Sequence, residues 1–302
     1  MSQAAGYRVH HLTRYHYGSP VTLSLHLLHL LPRPLPQQQI RAQQLTISPE
    51  PSQRQQRLDP FGNPVVNLAF DQPHRELSVE LTLELWRQPR PPELPSPGWQ
   101  SVVNAFAYHG QPLTADLLEA QRYRYESPHV RLKRNFADYA RDCFGDDTLL
   151  LDGCRALMAK IHREFTFDAS ATDIATPLLT VLKERRGVCQ DFAHLMLACL
   201  RSLGLAARYM SGYLLTRPPP GKPRLIGADA THAWVEVFCP SNGWVGFDPT
   251  NNCQPDLEHL VIGWGRDFTD VSPLRGVLLG GGSHDPEVQV TVLPIEEISA
   301  AD

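Results

Sequence analysis

The 302-residue sequence has no C-x-x-C pair among its six cysteines, and no apolar window approaching the roughly 18 residues that a membrane-spanning helix needs. The first absence argues against a disulfide framework and a zinc-ribbon site, so free thiols are expected. The second, with an N-terminus ("MSQAAGYRVHHLTRYHY") lacking a basic segment followed by an apolar run, leads to the expectation of a cytoplasmic protein with no membrane partner. An excess of one charge is also missing. The 28 basic and 32 acidic side chains give a formal charge of −4, which offers no footprint for nucleic acid and fits a small or peptide-like substrate. The thirteen histidines include no H-E-x-x-H or comparable spacing, so neither a metal nor another cofactor is expected.

What is present is ordinary for a folded chain, with 42% hydrophobic and 20% charged residues. At this length roughly 75% of the unfolded surface can be buried, and about two domains are expected. Residues 1–88 read as an N-terminal β domain. In "ELSVELTLELW", Leu77, Val79, Leu81, Leu83 and Leu85 face one way, and Ser78, Glu80, Thr82 and Glu84 the other. Shorter alternations at "YRVHHLTRYHY", "AQQLTIS" and "NPVVNLAF" suggest an antiparallel β-sandwich or barrel. Residues 89–98 are proline-rich and read as an extended linker. Residues 99–302 show apolar spacing typical of helices first ("TADLLEAQRYRY", "DTLLLDGCRALMAKIHREF") and strands afterwards ("AARYMSGYLL", "HAWVEVF", "GWVGFD"), which indicates an α+β domain. "GVLLGGGSHD" reads as a glycine loop, and "EVQVTVLP" as one further strand of that second domain.

One stretch carries chemistry. In "RRGVCQDFAHLMLACL", Gly187 offers a backbone conformation closed to other residues, and Cys189 opens a helix that is apolar on more than one side until Gly204. The positive end of such a helix stabilises a thiolate, and its unpaired amides can hold an oxyanion. Cys199, ten residues on, sits where a packing cysteine belongs. A nucleophilic thiolate needs a histidine to carry the proton and a carboxylate or amide to fix that histidine. His194 lies about 140° around the same helix and is excluded. His232 opens "HAWVEVF" and Asp248 closes "GWVGFD". A hairpin loop centred near Pro240 would make facing residue numbers sum to 480 and set these two opposite one another. A two-residue turn at Asn242 and Gly243 would instead place Asp248 opposite Val237.

Together, "RRGVCQDFAHLMLACLRSLGLAARYMSGYL", "THAWVEVFCPSNGWVGFDPTN" and "GRDFTDVSPLRG" resemble the bacterial transglutaminase-like proteins, often described as candidate cysteine proteases. The resemblance covers nearly the whole chain. It implies a papain-like core behind an N-terminal β domain, with Cys189 as nucleophile, His232 as base and Asp248 as the residue orienting the histidine. The implied reaction is acyl transfer on a peptide or other amide, with the acyl-enzyme released by water or by an amine acceptor. Gln190, Asp191, Asp229 and Trp234 are candidate substrate-binding residues. Two alternatives stay open: a noncatalytic interaction module, and an amidase like the peptide N-glycanases, whose zinc-binding cysteine pairs this sequence lacks.

Overall fold

The long alternating N-terminal segment forms a single strand, β1 (Ala5–Leu28), and the rest of the first sheet is organised around it. In the computed structural model, residues 4–107, 112–216 and 231–296 are described. The following strands are β2 (Gln38–Ser48), β3 (Gln53–Leu58), β4 (Pro64–Phe70) and β5 (His74–Arg87). They give the antiparallel order β2-β5-β1-β4-β3. Leu77, Val79, Leu81, Leu83 and Leu85 of β5 are all fully buried, as the alternation requires. β3 ("QRQQRL") is exposed at every position and has no apolar alternation; it is held by its ladder to β4 and by Arg54 Nη2, which donates to the Leu45 carbonyl of β2 at 3.3 Å.

Segment 88–98 has no helix and little strand pairing, yet it is tied to the core: the Arg90 amide donates to Asp256 Oδ1 at 2.9 Å and the Leu94 amide to Asn242 Oδ1 at 2.7 Å. Helices α1 (Trp99–Ala105), α2 (Ala115–Gln121), α3 (Arg134–Ala140) and α4 (Leu150–Glu164) follow. Thr114 caps α2 by accepting from the Leu117 amide. A two-residue strand β6 (Thr166–Phe167), helix α5 (Leu178–Glu184) and strand β7 (Arg186–Gly187) lead into α6 (Cys189–Ser202). Strands β8 (Ala207–Leu214), β9 (Thr231–Cys239), β10 (Gly243–Phe247) and β11 (His259–Gly265) form the second antiparallel sheet, in the order β10-β9-β8-β11.

Helix α6 is the spine of this α+β core. Every residue from Asp191 to Arg201 is buried, and the helix packs with Ala233, Val235 and Val237 of β9 and Ala207 and Tyr209 of β8 in one apolar cluster. Trimming a fully buried leucine of this kind costs about 2–5 kcal/mol, so the position of the helix start is set by a rigid body behind it.

The end of the chain departs from expectation. After α7 (Phe268–Val271), strands β12 (Leu274–Gly280) and β13 (Pro286–Pro294) pair with β1 in the first sheet instead of adding to the second. The first half of the expected glycine loop is strand: Gly276 lies opposite His26, where an added Cβ would stand 2.6 Å from the Leu25 carbonyl oxygen. Gly280, Gly281 and Gly282, with φ of +92°, +83° and +62°, start the turn that Ser283, His284 and Asp285 carry into β13. Among the described residues no helix is long and apolar enough to cross a membrane.

Candidate active site

The turn before α6 is held by a short parallel ladder, with Thr166 opposite Arg186 and Phe167 opposite Gly187. Gly187 is needed for space, not for an unusual backbone angle. The left-handed residue is Arg185, at φ +57°, while a Cβ on Gly187 would lie 2.6 Å from Asp191 Oδ2. That carboxylate accepts from the Val188 amide at 2.8 Å and from Thr172 Oγ1 at 2.6 Å. Asp191, 5% exposed, therefore caps the helix. Gln190 is partly exposed and makes no side-chain hydrogen bond among the described residues. Asp229 lies outside the described residues.

The first helical residue, Cys189, is partly exposed and lies near enough to His232 to help raise its imidazole. His232 is 9% exposed and bonds Asp248 Oδ2 through Nε2 at 2.8 Å, which leaves Nδ1 as the nitrogen for Cys189. The sequence therefore locates three residues that the fold brings together. The hairpin register is not the expected one. Cys239 pairs with Gly243 and Val235 with Phe247, so facing numbers sum to 482. The Asn242 amide donates to the Cys239 carbonyl at 3.0 Å, and Gly243 follows at φ +68°. This is a type I turn closed by a left-handed glycine, not a two-residue turn. Asp248 then stands one step past the ladder, diagonal to His232 and within reach of its ring.

Asp248 is fully buried and receives five hydrogen bonds. Oδ1 accepts from the amides of Thr250 at 2.9 Å and Asn251 at 3.2 Å. Oδ2 accepts from His232 Nε2, from Asn251 Nδ2 at 2.7 Å and from His259 Nε2 at 3.0 Å. Burial alone would raise this carboxyl, but the hydrogen bonds outweigh it and hold Asp248 below the usual carboxylate range. Burial likewise works to lower His232, and its bond to Asp248, together with the nearby Asp248 and Cys189 groups, overcomes that and lifts it to about 9. The imidazolium is thus the stable form at neutral pH.

Two neighbours of Asp248 are not legible from the sequence. His259 on β11, 4% exposed, lies in an apolar strand ("HLVIGWG") with no motif around it, and Asn251 is in the turn after Asp248. Trp234 shares the face of His232, as the alternation of β9 predicts, and stacks on it at 6.1 Å between ring centres. At 1% exposed it backs the imidazole. Trp234 and His259 form part of the wall of a cavity of about 510 Å³ that lies between this sheet and segment 87–94 and does not include Cys189. His232, Asp248 and His259 present donor atoms within 4.8 Å of one another and are the side chains here that could hold a metal ion. The hydrogen bonds above already satisfy them without one.

Because His259 touches the carboxylate and not the thiol, its removal is expected to act through Asp248. His259→Gln, which keeps an amide donor, should retain most turnover, and His259→Phe, which leaves the carboxylate more basic and its pull on the His232 imidazolium stronger, should lower kcat about 10-fold and move the alkaline limb of the pH profile to higher pH. Steady-state kinetics across pH separate this from a purely structural loss, which would leave the limb in place.

A buried helix with a cysteine at its start, packed on an antiparallel sheet that carries a histidine and an aspartate, defines a papain-like core. The chain belongs to the transglutaminase-like superfamily. The superfamily description matches residues 137–249, and a description of the bacterial transglutaminase-like N-terminal region matches residues 7–85. An uncharacterized protein of Mycobacterium tuberculosis is 38% identical over 300 residues, covering 96% of this chain and 93% of that one. A protein-glutamine gamma-glutamyltransferase of Pseudomonas aeruginosa is 30% identical over 136 residues, which are 40% of this chain and 20% of that enzyme. A solved structure of a candidate cysteine protease from Cytophaga hutchinsonii has the same fold, with a TM-score of 0.75 at 20% identity over 97% of this chain and 92% of its own.

Proposed function

We propose that this protein is a cysteine-dependent acyltransferase or hydrolase acting on peptide or glutamine amides. The observation that carries the reading is the Cys189–His232–Asp248 line, with a thiol at the start of a buried helix, a raised histidine beside it, and a buried carboxylate holding that histidine. Cys189 Sγ attacks the amide carbonyl carbon. The C–N bond breaks as His232 gives its proton to the departing amine, leaving a thioester. Water or an amine then attacks the thioester, His232 takes its proton, and the thiol is restored. The start of α6 supplies one oxyanion donor in the Cys189 amide, which has no other partner among the described residues.

Water as acceptor gives an amidase or peptidase, and a primary amine gives cross-linking. The discriminating experiment follows ammonia release from glutamine peptides with and without a primary amine. Amine incorporation at the expense of free acid shows transamidation; unchanged free acid shows hydrolysis. Absence of ammonia and of peptide cleavage across a broad amide panel would favour a noncatalytic module.

A further inference from the structure

Two stretches unused by the catalytic reading meet at a second site: the turn "DPFGNP" (Asp59–Pro64) and the segment "GRDFTD" (Gly265–Asp270). Asn63 latches them by donating from Nδ2 to the Trp264 carbonyl at 2.8 Å and accepting from the Trp264 amide at 3.1 Å. Beside this latch is a cleft of about 510 Å³ lined in part by Arg57, Arg122, Arg266 and Arg275. Two aspartates, Asp59 and Asp270, also line it, so four positive charges against two negative leave +2 in a chain whose formal charge is −4.

Both carboxylates are already committed. Asp59 accepts from the amides of Phe61 and Asn63, each at 2.8 Å, and from Asn63 Nδ2 at 2.7 Å, with His29 Nε2 3.5 Å away. Asp270 takes a two-pronged bond from Arg266, at 2.8 and 2.9 Å, and the Arg266 amide at 2.9 Å. Among the described residues, Arg57, Arg122 and Arg275 have no carboxylate partner. Arg122 and Arg275 are nonetheless oriented. Arg122 Nη2 donates to the Pro60 carbonyl at 2.8 Å and its guanidinium lies 5.0 Å from the Phe61 ring centre, and Arg275 Nη1 donates to the Thr269 carbonyl at 2.9 Å. Each keeps further N–H groups for a ligand, and Arg57 keeps all of its own. Oriented guanidiniums with spare donors are suited to two-pronged recognition of phosphate or carboxylate oxygens.

We infer that this cleft, built jointly by β3 and the DPFGNP turn, the C-terminal cap of α2 and the segment from Arg266 to the start of β12, is a binding site for a multiply charged anion, a phosphoryl or polycarboxylate group on a small molecule. Because the ligand would touch both the first sheet and the core, binding should raise the thermal midpoint of the whole chain.

The test is calorimetric titration of the full-length protein with inorganic pyrophosphate and, separately, with citrate, repeated at higher potassium chloride. Saturable binding is expected for at least one, weakening with salt. Arg57→Gln and Arg275→Gln, both on exposed side chains, should each raise its Kd on the order of ten-fold, the loss of a charged hydrogen bond. Arg134→Gln, at a side chain 91% exposed and away from the cleft, should leave it unchanged. Preference for pyrophosphate assigns a phosphoryl ligand, and preference for citrate a polycarboxylate. The proposal is overturned if neither probe binds saturably at millimolar concentration, or if Arg134→Gln weakens binding as much as the cleft variants do.

Discussion

Cys189→Ala is expected to lower kcat/KM for amide turnover by about 10⁴-fold or more, because removing the nucleophile of a coupled triad forfeits nearly all of its catalysis. Cys199→Ala should leave turnover close to wild type. The two cysteines occupy one helix, and their surroundings are opposite. Cys199 is fully buried, and burial pushes its thiol well above the ordinary cysteine range, so it stays protonated and out of reach. Cys189 is partly exposed, sits at the positive end of the helix and lies near an imidazole that is charged at neutral pH. Iodoacetamide at neutral pH should therefore modify Cys189 first, with Cys154 and Cys199 protected by complete burial. Peptide mapping after limited alkylation reads this directly, and equal rates at Cys189 and Cys199 would contradict it.

Asp248→Asn carries the second large effect. A carboxylate that takes five hydrogen bonds and acts only as an acceptor is replaced by an amide that must point an N–H at His232, His259 or the backbone amides. His232 then loses its main support while burial continues to favour its neutral form, so its pKa falls from about 9 toward or below the ordinary 6.5. Turnover at neutral pH should drop about 10³- to 10⁴-fold, and the alkaline limb, set near pH 9 in the wild type by loss of the imidazolium, should move to lower pH. Stability follows the same groups. The raised His232 contributes stability that is full below pH 6.5 and lost as pH rises through about 9. The depressed Asp248 contributes above its unfolded value of 3.8 and loses that contribution as pH falls further. The wild-type excess in thermal midpoint over Asp248→Asn should therefore be greatest between about pH 4 and 6.5 and shrink toward pH 9. An excess that grew with pH would contradict the assignment of these charges.

The three residues of the line are legible because each is tied to local pattern: Cys189 to a helix start, His232 and Asp248 to the ends of two alternating strands. What escaped the sequence depends on contacts between distant segments. His259 reaches Asp248 only because β11 pairs with β8, which pairs with β9. A histidine in an apolar strand gives no sign of that by itself. The register of the β9–β10 hairpin was missed by two because Pro240 and Gly243 offered competing turns, and the left-handed Gly243 decided between them. β3 lacks alternation since an exposed edge strand needs no buried face. β12 and β13 looked like the end of the second domain, but β1, at 24 residues, is long enough to take different partners along both edges, and the chain's last strands supply them. Asp191 caps the helix start through its carboxylate, one of the two roles its place beside Cys189 allows.

The account stands most directly on the existence of an acyl-enzyme at Cys189. Intact-mass spectrometry of protein quenched in acid shortly after mixing with a reactive glutamine-peptide or amide donor should show an adduct of the acyl mass. That adduct should map to the peptide containing Cys189, be released by hydroxylamine as a thioester is, and be missing in Cys189→Ala. Donor turnover by Cys189→Ala at the wild-type rate, or an adduct mapping to another residue, would contradict it.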